Sequence, residues 1–223
     1  MLPILYSFRR CPYAMRARYM LVLLGVPVLL REVVLKSKPE ALLMLGGRSS
    51  VPQLVNINGD RYPESLDIIF WSLSQTTDMV FRDQLWPESP VTRHKIKAWI
   101  AFNDNRFKYW LDRYKYSDRY PEYFEGYYRQ KGEVFLRRLE ARLNRFSYLL
   151  GNEMTLVDVA LFPFIRQFAA VDSKWFEESG YHKLKLWLDG FVTSELFTKG
   201  VMEKFSAWEE GSQNIVFPRE RLE

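Results

Sequence analysis

Cys11-Pro12-Tyr13-Ala14 is the stretch of this sequence best suited to covalent chemistry. It holds the only cysteine among 223 residues, at the point where an apolar segment, Leu2 to Phe8, gives way to a helical pattern. A sulfur at such a junction faces the unpaired N–H groups and the positive end of the helix dipole, which favour the thiolate. Arg9, Arg10 and Arg16 push the same way. Such surroundings lower a thiol pKa to roughly 3.5–7.5 from about 8.5, giving a nucleophile at neutral pH. The alternative is a buried, inert thiol, but the place before Pro12 and among arginines favours the reactive reading. Ala14 stands where a dithiol oxidoreductase would carry a second cysteine. A resolving thiol must therefore come from a small molecule or a partner.

Two further pieces describe what such a thiol would meet. A cis bond at Val51-Pro52, at the start of a strand, would turn the Val51 backbone outward to pair with an extended, peptide-like ligand. Ser65 would cap a helix whose N-terminus can bind a carboxylate, and Glu64 can pair with an ammonium group. Each piece is weak alone, since Val-Pro is common in turns and Ser65 would serve as an ordinary cap. With Cys11 they describe a site for a ligand that has a thiol, a peptide backbone and an amino-acid end bearing both charges. Glutathione has all three.

Composition narrows the alternatives. The chain is 48% hydrophobic and 26% charged, which excludes a disordered or collagen-like chain. One cysteine excludes an internal disulfide and a Cys-only metal cluster, and His94 and His182 lack ligand spacing, so no metal is expected. No stretch approaches the ~18 apolar residues of a membrane span. Met1 to Phe8 has no basic flank before it and is broken by Arg9, unlike a signal peptide. A soluble, cytoplasmic protein of a reducing compartment is the expectation. Of the net charge of +5, residues 1–75 hold +4, from nine basic and five acidic side chains. That concentration suits a small anionic ligand better than the continuous basic stripe of a nucleic-acid binder, so neither nucleic acid nor membrane is expected as a partner.

The elements that must position these residues follow from two different periodicities. Leu2–Phe8 reads as a buried strand, Pro12–Leu24 as a helix opened by Pro12 and closed by Gly25, and Val28–Leu35 as a second strand. Pro39–Leu45 is a short helix stopped by Gly46-Gly47. Residues 51–57 and 60–62 flank the hairpin signal Asn58-Gly59, and Ser65–Leu73 is a helix. The order β-α-β-α-β-β-α is the thioredoxin topology. Residues 76–90 read as a linker. Beyond it the spacing predicts helices alone: Thr92–Trp110, Pro121–Leu150, one opened by the capping box Thr155-Leu-Val-Asp158, and shorter ones near 183–191 and 195–208. Pro163 predicts a kink or a delayed start in the third of these. The expected domains are therefore 1–75, a thioredoxin-like α/β domain, and 91–223, an all-α domain.

Tyr6-Ser-Phe-Arg-Arg-Cys-Pro-Tyr-Ala14, Lys36-Ser-Lys-Pro-Glu40, Ser50-Val-Pro-Gln-Leu54, Pro63-Glu-Ser65 and Thr155-Leu-Val-Asp-Val-Ala160 run in order along nearly the whole chain. In these motifs the sequence resembles the cytosolic glutathione transferases with a cysteine active site, the omega and related bacterial classes. The resemblance implies a homodimer that uses glutathione as co-substrate, with Cys11 as catalytic thiol and Lys38, Val51, Glu64 and Ser65 as glutathione contacts. It also places Asp158 at a folding and capping position. By position, Phe8, Phe102, Arg106 and Tyr109 would line a second-substrate cleft between the domains, although the helical spacing of the aromatics equally fits core packing. The polar run Asn103-Asp-Asn-Arg106 suggests a face turned to a wet cleft or a dimer partner. Gly46-Gly47-Arg48-Ser49-Ser50 departs from the Asn-Pro turn frequent in relatives, and Arg48 would reach a ligand carboxylate or stay solvated.

These residues imply a glutathione-dependent thiol transferase or reductase. One alternative is conjugation of glutathione to an electrophile, with Tyr6 or Ser7 supplying the activating hydroxyl. Another is a non-catalytic interaction module of the same fold.

Overall fold

The structure is a computed structural model that describes residues 1–219. Its contacts divide into two compact units, Met1–Thr77 together with the segment from Ser194 onward, and Asp78–Thr193.

The first unit realises the expected β-α-β-α-β-β-α order: β1 (Ile4–Ser7), α1 (Pro12–Leu23), β2 (Val28–Glu32), α2 (Glu40–Leu43), β3 (Gln53–Val55), β4 (Arg61–Tyr62) and α3 (Ser65–Gln75). β1 runs parallel to β2 and antiparallel to β3, in the sheet order β4-β3-β1-β2-β5. The fifth strand, β5 (Ile215–Phe217), pairs antiparallel with β2. The helical domain expected within 91–223 is present up to Thr193, while the described segment from Ser194 onward groups with the first unit, residues 220–223 lying outside the described residues. The helix expected over 195–208 reduces to a π-helical turn, Leu196–Val201, and the chain after it joins the sheet edge. Three residues after a polar stretch are too few for strand alternation to be visible in the sequence.

α1 begins at Pro12, whose missing N–H costs nothing at a helix start, and ends before Gly25, which takes a φ of +63°. Ten of its twelve residues are buried, because α3 and the Leu196–Val201 turn both pack against it. The hairpin is tied less by Asn58-Gly59 than by Asn56, whose Oδ1 accepts from the amides of Asn58 (2.9 Å) and Asp60 (2.8 Å). Gly59 supplies the positive φ of +88°.

The second unit holds α4 (Met79–Leu85), α5 (Pro90–Phe102), α6 (Lys108–Lys115), α7 (Glu125–Leu143), α8 (Leu156–Ala169), α9 (Ser173–Glu178) and α10 (His182–Val192). Three expectations change. The 76–90 linker contains α4, capped by Asp78 Oδ1 on the Phe81 amide at 2.9 Å. The long helix expected over Thr92–Trp110 is interrupted by a π-helical turn, Asn103–Phe107. The helix expected over Pro121–Leu150 is shorter at both ends. α8 begins on schedule at Leu156 and carries Pro163 inside it, so the delayed start does not occur.

The core of this unit is aromatic. Phe135 lies between Phe102 (ring centroids 5.1 Å apart) and Phe107 (4.9 Å), and Phe168 lies against Phe107 (5.5 Å) and Tyr114 (4.9 Å). Gly132 on α7 allows this approach, since a Cβ there would stand 2.5 Å from the Phe168 ring. At the start of α8 the fully buried Asp158 carboxylate accepts from Thr155 N (3.0 Å) and Thr155 Oγ1 (3.2 Å), closing the expected capping box. It also accepts from Leu149 N (2.9 Å) and Trp187 Nε1 (3.1 Å). One side chain thus joins the 149–155 loop, α8 and α10.

Candidate active site

Cys11 is the N-cap of α1, in extended conformation with φ −77° and ψ 124°. Its amide donates to Phe8 O at 3.0 Å, and its carbonyl accepts from Met15 N at 2.8 Å as the helix begins. The partly buried Sγ lies 3.7 Å from the Val51 carbonyl, to which the thiol donates. The Val51-Pro52 bond is cis. The two segments that the sequence marks as chemically suggestive, 40 residues apart, therefore meet at the helix N-terminus, where the dipole favours a thiolate.

The loop that carries Val51 is held from beneath. Fully buried Gln53 donates to the carbonyls of Arg48 (2.6 Å) and Ser50 (2.7 Å), and its own Oε1 accepts from Arg61 Nε at 2.8 Å. Arg61 donates in turn to the carbonyls of Leu45 (2.8 Å), Gly46 and Arg48 (2.8 Å). Gly46 and Gly47 supply the positive φ values of +76° and +61° that let the loop wrap around this guanidinium. The Gly-Gly departure from the Asn-Pro turn is thus built into a loop with its own fastening. The sequence reading missed Gln53 and Arg61. Their only signal is a polar residue after Pro52 and a cation across the hairpin, neither distinctive.

Two of the remaining predicted contacts, Lys38 and Glu64, hang on the same loop. Lys38 Nζ donates to Ser49 Oγ at 2.9 Å. Arg48 Nη1 donates to Glu64 Oε1 at 2.7 Å, with both side chains half or more exposed. Arg48 thus stands at the Glu64 end of the site. Glu64, not Ser65, is the N-cap of α3, in a reciprocal capping box with Asp67, whose Oδ2 accepts from Glu64 N at 3.1 Å. Ser65 is the buried first residue of α3, and its Oγ accepts from Arg16 Nε at 2.9 Å. Arg16, itself buried and placed over the Tyr13 ring at 5.0 Å, ties α1 to α3.

The hydroxyls of the conjugation alternative are occupied elsewhere. Ser7 Oγ accepts from Arg18 Nε at 2.9 Å and Tyr6 OH from Arg31 Nη1 at 2.6 Å, and both residues are buried. Of the proposed second-substrate residues, Phe8 belongs to the first unit, where Arg10 lies over its ring at 5.5 Å. Phe102, Arg106 and Tyr109 belong to the second unit. Phe102, partly buried, is stacked on the Phe135 ring. Arg106 is exposed, and Tyr109 is 46% exposed beneath the Arg113 guanidinium at 3.5 Å. Asn103, read as part of a wet polar face, is instead fully buried at the π-helical turn.

Comparison with known proteins agrees with the fold. Residues 5–77 match the family model of the glutathione S-transferase N-terminal domain and residues 109–190 that of the C-terminal domain, together more than two thirds of the chain. A probable glutathione S-transferase of Nicotiana plumbaginifolia, MSR-1, is 28% identical over 189 residues, covering 82% of each chain. Among solved structures, a glutathione transferase family member from Pseudomonas fluorescens, with two glutathione bound, superposes with a TM-score of 0.74 at 18% identity, over 90% of this chain and 92% of that one. Glutathione transferase Omega 3C from Trametes versicolor gives 0.72 at 20% identity, over 88% and 83%. At these identities the solved structures share the fold.

Proposed function

Since the chain belongs to the glutathione S-transferase superfamily and carries both of its domains, we propose that this glutathione transferase works as a thiol transferase through a mixed disulfide on Cys11. The observation that carries the reading is the place of Sγ, at the N-cap of α1 and 3.7 Å from the carbonyl of the cis Val51-Pro52 pair. Val51 offers its backbone to the cysteinyl part of glutathione. Glu64 takes the γ-glutamyl ammonium, the start of α3 at Ser65 takes the γ-glutamyl carboxylate, and Lys38 takes the glycine end. The burial of Tyr6 and Ser7 counts against conjugation by a hydroxyl-activated glutathione.

The chemistry is two successive exchanges. The Cys11 thiolate attacks the glutathione sulfur of a mixed disulfide, a Cys11–glutathione bond forms, and the substrate leaves as its thiolate. A second glutathione thiolate attacks the same glutathione sulfur, releasing oxidised glutathione and restoring the Cys11 thiolate. The chain's single cysteine makes the second glutathione the resolving reagent. A cytoplasmic homodimer is part of the same proposal, by analogy with the superfamily.

Calorimetry with reduced glutathione tests the ligand. The wild-type protein should bind it, and Glu64→Gln should weaken binding at least about tenfold, since it removes a hydrogen bond between charges. Absence of binding to the wild-type protein would overturn the reading in favour of a non-catalytic interaction module.

A further inference from the structure

Beneath the Cys11 turn lies a buried charge network that thiol chemistry does not itself require. Arg18, in the middle of α1, has no exposed surface, and the Glu32 side chain, at the end of β2, keeps only 11%. The two are joined by a hydrogen-bonded ion pair, Arg18 Nη2 to Glu32 Oε2. Two further donors of Arg18 go to Ser7 Oγ (2.9 Å), at the last residue of β1, and to the Val201 carbonyl (3.3 Å). The other Glu32 oxygen accepts from the backbone amide of Arg9 at 2.7 Å. The Arg9 side chain donates to the Met202 carbonyl at 3.2 Å, and Trp208 N donates to Glu32 O at 2.9 Å.

The residues between β1 and α1, which end in Cys11, are therefore fixed at Ser7 and at Arg9 by one ion pair, with the 201–208 segment packed into the same network. Desolvation of the buried guanidinium opposes the attraction of Glu32, and a buried ion pair commonly stabilises no more than apolar side chains of the same size. What such a pair supplies and an apolar cluster cannot is direction, because both Glu32 oxygens and three N–H groups of Arg18 have assigned partners, among them the Arg9 amide, the Ser7 hydroxyl and the Val201 carbonyl. A thiol at a helix N-terminus is sensitive to that direction, since a displacement of about 1 Å is enough to lower reactivity by orders of magnitude.

We propose that Glu32 and Arg18 are positioning residues for the Cys11 thiol, and that the segment from Leu196 to Trp208 is part of the support. The inference concerns the thiol of the active site proposed above, while its closing experiment reads thiol reactivity without glutathione. The rate of Cys11 alkylation by iodoacetamide is measured on the folded, full-length protein, next to thermal unfolding and calorimetry with glutathione. Glu32→Gln places an amide NH2 against either Arg9 N–H or Arg18. It should slow alkylation about tenfold, while glutathione affinity, held by Lys38, Glu64 and Ser65, stays within about twofold. Arg18→Lys keeps a buried cation beside Glu32 but gives up the Ser7 and Val201 contacts. It should slow alkylation about threefold, and it carries the test if Glu32→Gln does not fold. A lower melting temperature with unchanged alkylation would overturn the inference in favour of a purely structural pair, as would an equal fall in alkylation and glutathione affinity. Failure of the wild-type protein to bind glutathione would strike the proposed function and leave the alkylation result standing.

Discussion

Cys11→Ser is expected to lower the reduction of a glutathione mixed disulfide by on the order of 10³-fold or more, with the fold unchanged. A serine hydroxyl at the N-cap of α1 keeps the helix start and is a good cap in its own right. It cannot form a mixed disulfide, so neither of the two exchanges can occur. The measurement is the steady-state rate with a small glutathione mixed disulfide as substrate, alongside circular dichroism of the variant. A rate near that of the wild-type protein would rule out Cys11 as the nucleophile. The same variant should not depend on Ser7 or Tyr6 for residual activity, because both residues are buried. If Cys11→Ser instead gained rate with a halogenated aromatic electrophile, the site would hold a conjugation capacity that the cysteine masks.

The largest effect on stability is expected at Asp158. Its carboxylate is fully buried, and burial pushes its pKa up while four hydrogen-bond donors from Leu149, Thr155 and Trp187 pull it down. Asp158→Ala would leave the Leu149 and Thr155 amides and the Trp187 indole N–H without their acceptor in the interior. At about 1–3 kcal/mol for each buried donor left unmet, the loss should reach about 3 kcal/mol or more. Urea unfolding checks this as a drop in the midpoint. Asp158→Asn retains one acceptor oxygen but sets an NH2 against two donors, so it should fall between wild type and alanine. An alanine variant within about 0.5 kcal/mol of wild type would mean that the cap is dispensable.

Much of this was legible in the residues themselves. Strong, local signals carried over: Pro12 at a helix start, Gly25 after its end, the cis bond at Val51-Pro52 and the Thr155–Asp158 capping box each depend on a few neighbouring side chains. The failures are where partners come from far along the chain. Ser65 has the composition of a cap, yet Glu64 takes the role, because Arg16 from α1 claims the Ser65 hydroxyl. Asn103 looked solvent-facing because its neighbours are polar, and a π-helical turn turns it inward. Ile215–Phe217 was unreadable as a strand, since its pairing partner β2 lies nearly two hundred residues earlier. Of the arginines near the sulfur in sequence, Arg16 serves Ser65, Arg9 serves Met202 and Arg10 lies over the Phe8 ring.

In activating the thiol, the helix start and the turn that fixes it come first, and Arg9 and Arg16, hydrogen-bonded to neutral partners, keep their positive charge. The central claim is that Cys11 itself carries the glutathionyl group between substrate and product. Mass spectrometry of the intact protein after incubation with oxidised glutathione, before and after a reductant, tests this most directly. The account predicts one glutathionyl adduct per chain, located on Cys11 and lost on reduction. An unmodified protein, with glutathione binding intact, would contradict it.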